Sequence, residues 1–230
     1  MTTAAAALSQ TARAAHGRWT EQIDPVRPLL ELGGVALTAA LHLGWPLLGL
    51  PRGVLVVPLV ACWVGYIAVR TRVNPEAVAA WGLRREGLRP ALLATLAVMA
   101  VGAAGMGAIG LVLGASVPPA YAAICLLTYP IWGLIQQLLV QGLVTGNLAK
   151  LPGRWGHPAV ATVVSATLFG LVHYPHPELM VGTFLLGLTF APIWLRWRNL
   201  WPLALAHGWL GTMIYYVVLM QDPMATYFAF

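Results

Sequence analysis

From residue 29 to residue 220 the chain alternates long apolar runs with short connectors rich in Pro, Gly and charge. The runs fall near 29–50, 53–69, 91–114, 118–148, 157–175, 178–195 and 200–220. Most approach or exceed the roughly 20 residues that a helix needs to cross hydrocarbon. The run 53–69 is the shortest of them. The stretch 70–90 (RTRVNPEAVAAWGLRREGLRP) is too charged to cross and reads as a surface connector. The pattern predicts an all-α, polytopic membrane bundle of about seven transmembrane helices, with 29–220 as a single membrane domain. Residues 221–230 form a short tail. Residues 1–28 have no continuous apolar core, so a cleaved signal peptide is not expected. Ala-rich and carrying Arg13, Arg18 and Trp19, they read as a cytoplasmic segment lying on the membrane surface.

Composition agrees: 59% of the 230 residues are hydrophobic, 9% are charged, and the mean hydropathy is +0.76. A soluble domain carries about 25% charge, so a cytosolic enzyme, a disordered tail and a disulfide-stapled secreted module are excluded. The net charge of +6 lies in the connectors rather than on a basic, aromatic-interleaved face, so nucleic acid is not a partner. In the seven-span reading Arg52 alone falls on one side. The other twelve of the 13 Lys and Arg residues, in the N-terminal segment and around 70–89, 150–154 and 196–198, fall on the opposite side. The positive-inside rule makes that side cytoplasmic: N-terminus in, C-terminus out, in a multi-pass cell-membrane protein. Trp81, Trp155, Trp194, Trp197 and Trp201 lie at the predicted inner ends, as interfacial anchors should. Gly110-x-x-x-Gly114 permits a close helix contact. Cys62 and Cys125 sit in apolar runs without a CxxC spacing and read as packing residues.

Polar side chains inside spans must find partners, so their positions carry information. The fourth span holds Gln136, Gln137 and Gln141 in IWGLIQQLLVQGLV, with Gln137 and Gln141 four residues apart on one face. The fifth ends SATLFGLVHYPHPE, with Phe169 and His173 on one face and His176 and Glu178 just beyond. The seventh carries His207 in LWPLALAHGWLG. Each feature alone can be interhelical glue or a wet outer loop. Together, on three spans, they predict a polar pocket inside the bundle. Helical rise puts Gln136 and His173 roughly 21 and 24 Å from their shared connector, but His207 only ~12 Å above its own. Tilt, or helices starting at different depths, must bring His207 level with the others.

In this order and spacing the three segments resemble the CPBP family of intramembrane proteins (CAAX protease / bacteriocin-processing, abortive-infection-like). That family includes the type II CAAX prenyl endopeptidases. Its pattern is Glu-Glu-x-x-x-Arg, then Phe-x-x-x-His, then His-x-x-x-Asn or Asp. Here Gln136-Gln137-x-x-x-Gln141 occupies the first motif, Phe169-x-x-x-His173 the second and His207-x-x-x-Gly211 the third. WGLRREGLRP is similar to the connector that precedes them, and the likeness covers about residues 80–215. The resemblance implies an intramembrane endopeptidase site in which the first Glu activates water while the His pair and the Asn position it, or a metal. The site positions it implies are Gln136, Gln137, Gln141, Phe169, His173, His207 and Gly211. A general base must accept a proton near neutral pH, and its loss removes about 10²–10⁴ in rate. A glutamine cannot accept that proton, Gln141 offers no ion pair, and Gly211 supplies no side-chain donor.

The leading expectation is therefore a pseudoprotease that keeps a groove for a hydrophobic or lipidated peptide, or for a membrane-protein partner. An altered enzyme is the alternative. His173 and His207, with His176 and Glu178, would then hold Zn²⁺ or iron, although Pro175 and Pro177 separate His173 from His176 by a helix break. Residual peptidase activity with Glu178 as a substitute base is a third reading. A solute transporter lacks support because no inverted repeat or matching pair of broken helices is present. Haem ligation by the two histidines is disfavoured by their unequal predicted depth.

Overall fold

A computed structural model of the chain describes residues 26–50, 52–116 and 119–222. Most of the expected surface segment 1–28 and most of the tail 221–230 lie outside the described residues. Among the described residues every regular element is helical. The elements are α1 (Val26–Gly44), α2 (Arg52–Val73), α3 (Glu76–Trp81), α4 (Leu88–Leu113), α5 (Pro119–Gln137), α6 (Pro158–Leu171), α7 (Pro177–Trp197) and α8 (Trp201–Met213). Helix α5 runs on through a π-helical segment, Leu138–Thr145, into Gly146–Leu148, and α8 continues into a π-turn, Ile214–Val218. Each predicted span coincides with one of these helices. Among the described residues four stretches are long and apolar enough to cross a membrane: Gly53–Val73, Leu88–Leu113, Ala122–Leu148 and Pro177–Trp197. The chain is a multi-pass membrane protein seated in the lipid bilayer.

Local sequence sets the boundaries. Pro158 and Pro177 stand at the first positions of α6 and α7, where a missing N–H is harmless. Glycines in the left-handed conformation, Gly87 at φ 70° and Gly114 at φ 67°, begin and end α4. The run expected to be shortest is longer than its hydropathy suggests: α2 carries Arg70 and Arg72 in its last turn and ends at Val73. Its outward surface is apolar, as is that of α4, and only 6% of the most apolar window of either helix is buried. These two helices form the lipid-facing flank of the bundle. Cys62 is exposed on α2, so only Cys125 has the buried place expected of both cysteines.

The segment 74–87 is a surface connector only in part: Pro75, Glu76, Ala80, Arg85 and Glu86 are exposed, but the rest is drawn against the bundle. Trp81 and Gly82 are buried, and the turn 82–87 is hydrogen-bonded to the α7–α8 turn. Leu200 N donates to Gly82 O (2.9 Å), and Arg84 donates to the carbonyls of Trp197 and Arg198. Asn199, wholly buried, donates through Nδ2 to Arg84 O (2.7 Å) and Glu86 O (3.2 Å) and accepts from Trp201 N (3.2 Å). A side chain at Gly82 would stand 2.9 Å from Arg198 O, so the two turns meet backbone to backbone. Trp81 and Trp194 are therefore core residues rather than interfacial anchors, with Trp194 Nε1 donating to Trp81 O. Trp155 and Trp201 remain about half exposed. Asn199→Ala strands three backbone groups at once and is expected to cost about 1–3 kcal/mol. Thermal unfolding in detergent reads this, and a wild-type melting point would count against the docked turn.

Helix α8 is the most enclosed. It crosses α5 where Gly208 faces Pro130 and Gly133 faces Ala204; added Cβ atoms there would lie 2.4 Å from Pro130 N and 2.5 Å from Ala204 O. Pro130 cannot donate to the carbonyl four residues back. That carbonyl, on Leu126, accepts from Trp209 Nε1 at 3.0 Å, which meets the requirement that backbone groups in hydrocarbon be satisfied. Gly110 packs on Val217 of the α8 extension, whereas Gly114 is a helix cap, so the small-residue pair is one contact and one terminator.

Candidate functional site

The three polar segments converge. The ring centroids of His173 and His207 each lie 5.3 Å from that of Phe169, edge to face at 77° and 81°. The imidazoles are thus at most twice that distance apart, both packed against one buried phenyl ring. The unequal depth expected from helical rise is closed by the start of α8. Its first residues follow Asn199 and Leu200, which are fully buried beneath the docked 82–87 turn, so the helix begins well inside the bundle.

Both histidines line a cavity of about 950 Å³ between α4, α5, α7 and α8. Gln136, Glu178, Trp132 and Gly211 also line it. The α4 wall is small and apolar, with Gly102, Gly105, Val98 and Val101, and the exposed side chains of Val101, Val181 and Leu185 rim the opening. A mouth of this kind admits material from hydrocarbon rather than from water.

The remaining motif residues stand behind the wall. Phe169 is buried and contacts both imidazoles. Gln137 and Gln141 are fully buried in a hydrogen-bonded row: Thr145 Oγ1 donates to Gln141 Oε1 (2.9 Å), and Gln141 Nε2 to Gln137 Oε1 (3.3 Å). Gln137 Nε2 then meets His207 Nδ1 at 3.1 Å. The row lies on the π-helical continuation of α5, where Thr145 Oγ1 also reaches Val140 O, five residues back. Such π segments recur at functional sites. His173, just past the end of α6, meets the Phe169 carbonyl through Nδ1 at 2.8 Å and Thr183 Oγ1 at 3.2 Å. The helix end leaves that carbonyl without an intrahelical donor. His176 caps α7 in the following turn and does not line the cavity; Pro175 and Pro177 stand on either side of it at the break.

A tetrahedral zinc site needs three or four donors around one point. Among the described residues no group of three or more His, Cys, Asp and Glu side chains could hold a metal ion. The described residues do not fit such a centre.

Thr145 and Thr183 belong to the site without having been expected there. Thr145 was visible in principle, since it extends the 137, 141 spacing by another four residues. Thr183 carried no signal, because only the α6–α7 packing aims it at His173.

The fold is thus a membrane helical bundle with a largely apolar cavity that two imidazoles line. Residues 118–213 match the family model described as type II CAAX prenyl endopeptidase Rce1-like, so this segment is similar to that family. The matched stretch contains all three motifs and stops short of the 81–90 connector. No curated protein and no solved structure matched the chain.

Proposed function

We propose that this protein is a pseudoprotease of the CAAX endopeptidase-like class, which binds a hydrophobic or lipidated peptide segment in the cavity without hydrolysing it. One observation carries the reading. The cavity keeps both imidazoles, while the α5 position turned toward them is an amide, Gln136, which cannot act as a general base. The remaining carboxylate on the wall, Glu178, is an exposed side chain in the first turn of α7. The distribution of Lys and Arg supports seven crossings, with the N-terminus and the 70–89, 150–154 and 196–198 connectors on the cytoplasmic side of the cell membrane.

The test uses purified full-length protein in nanodiscs with a dansylated, farnesylated peptide. Saturable fluorescence and an unchanged peptide mass after prolonged incubation are expected. Gly105 lines the cavity, and its added Cβ meets nothing within 4 Å. Gly105→Leu should therefore fill the cavity and weaken binding at least about tenfold, the equivalent of ~1.4 kcal/mol, while the protein stays folded. Absence of saturable binding overturns the proposal. Cleavage that disappears in His173→Ala also overturns it and establishes a surviving peptidase.

A further inference from the structure

Hydrogen-bond chemistry fixes where the protons sit on the two imidazoles. An amide nitrogen donates and cannot accept, so the contact from Gln137 Nε2 makes His207 Nδ1 the acceptor. A neutral imidazole accepting at Nδ1 carries its proton on Nε2. His173 is the reverse case. Its Nδ1 faces the carbonyl oxygen of Phe169, an acceptor only, so Nδ1 carries the proton and Nε2 holds the lone pair. Among the described residues each imidazole meets the protein through Nδ1, and both line the cavity, so Nε2 is the nitrogen each offers a guest. The cavity lining thus presents one imidazole as a donor and one as an acceptor, both packed against Phe169.

The donor on His207 has a cause further back. Thr145, Gln141 and Gln137 donate head to tail, each step one turn up α5, and the last donor is delivered to His207. A carboxylate at position 137 would do the opposite. Having only acceptor oxygens, it would draw the proton onto Nδ1 and leave Nε2 as a lone pair. Glutamine rather than glutamate at 137 therefore sets the face that His207 shows to the cavity.

We propose that Thr145, Gln141 and Gln137 form a neutral amide relay that holds His207 as a hydrogen-bond donor in the cavity that the acceptor His173 also lines, so that the cavity selects an uncharged secondary amide. The amide carbonyl oxygen accepts from His207 Nε2–H, and the amide N–H donates to His173 Nε2. The three relay residues are positioning residues, and the choice of guest rests on reading the cavity as a binding site.

The relay is tested without any ligand by ring-¹⁵N NMR of histidine-labelled full-length protein in nanodiscs, with His207 assigned by its loss in His207→Phe. The wild type is expected to show His207 protonated on Nε2 alone. Gln137→Glu should move the proton to Nδ1, and Gln141→Met, which loosens the row without touching His207, should give both tautomers. Wild-type His207 protonated on Nδ1, or an unchanged tautomer in both variants, overturns the relay. Guest selection is read separately with a dodecanoic N-methylamide and its methyl ester. The ester lacks the N–H, so the amide should bind about five- to tenfold more tightly, the effect of one hydrogen bond. Equal affinities overturn the amide assignment. Because the tautomer measurement needs no guest, failure of the relay and failure of the binding reading give different results.

Discussion

Gly208→Val is expected to leave almost no monodisperse protein in detergent. A Cβ at residue 208 would lie 2.4 Å from Pro130 N, 2.6 Å from Pro130 Cα and 2.7 Å from the Tyr129 carbonyl carbon. All three are backbone atoms, which cannot swing aside as a side-chain tip can. Relief requires α8 to move off α5, and that motion would also withdraw Trp209 from the Leu126 carbonyl that Pro130 leaves open. Overpacking a core costs typically 1–3 kcal/mol. With a rigid partner and a lost hydrogen bond, the effect should reach at least about 3 kcal/mol. The same displacement separates Gln137 from His207, so the site is lost with the fold. Gly107→Ala is the control: nothing lies within 4 Å of its added Cβ, and an alanine inside a helix is neutral or stabilising by up to about 1 kcal/mol. Size-exclusion profiles and tryptophan-fluorescence melting read both variants. A monodisperse Gly208→Val protein with unchanged melting would refute the close crossing.

The second large effect is expected at Glu31, at the end of the bundle away from the cavity. Its carboxylate is buried and takes the Tyr66 hydroxyl on one oxygen and Asn147 Nδ2 on the other at 2.5 Å. Arg70 Nε stands 3.9 Å away, and Lys150 donates to the Asn147 side chain at 3.1 Å. The carboxylate thus ties α1, α2 and the end of α5 together. Two guanidinium nitrogens of Arg70, Nε and Nη1, are buried without a hydrogen-bond partner, so the ion pair with Glu31 is their compensation. Glu31→Leu leaves that charge unpaired, a change that costs about 3–5 kcal/mol where a buried pair is broken from one side. Glu31→Leu combined with Arg70→Leu should recover most of the loss, because the pair itself contributes less than the orphaned charge costs. Guanidinium-free thermal unfolding in detergent, run on the single and double variants, separates the two terms. A single variant as stable as the wild type would show that Arg70 has no need of Glu31.

Much of this protein is a direct consequence of its solvent. In hydrocarbon the backbone must satisfy itself, so apolar runs of the right length become helices whatever packs beside them. The sequence placed seven helical runs, the breaks at Pro175 and Pro177, and the three segments that bear the site. It does not show the docking of 82–87: Glu76, Arg85 and Glu86 are exposed as their charge predicts, whereas Arg84 and Asn199 use their polar groups to join one turn to another. Trp81 and Trp194 were misplaced for the same reason: once the turn is docked, the ends of these helices are interior.

The sequence by itself determined the all-helical membrane class and which residues are chemically able to act, since both follow from length, hydropathy and side-chain type. That Gln136 and Gln137 cannot serve as a carboxylate base needed no coordinates. Only the tertiary structure decided that Gln136 faces the cavity while Gln137 turns away to His207, and that α8 starts deep enough for His207 to meet Phe169. Spacing along one helix fixes which residues share its face. The direction of that face, and the depth at which a neighbouring helix begins, come from contacts between elements far apart in the chain.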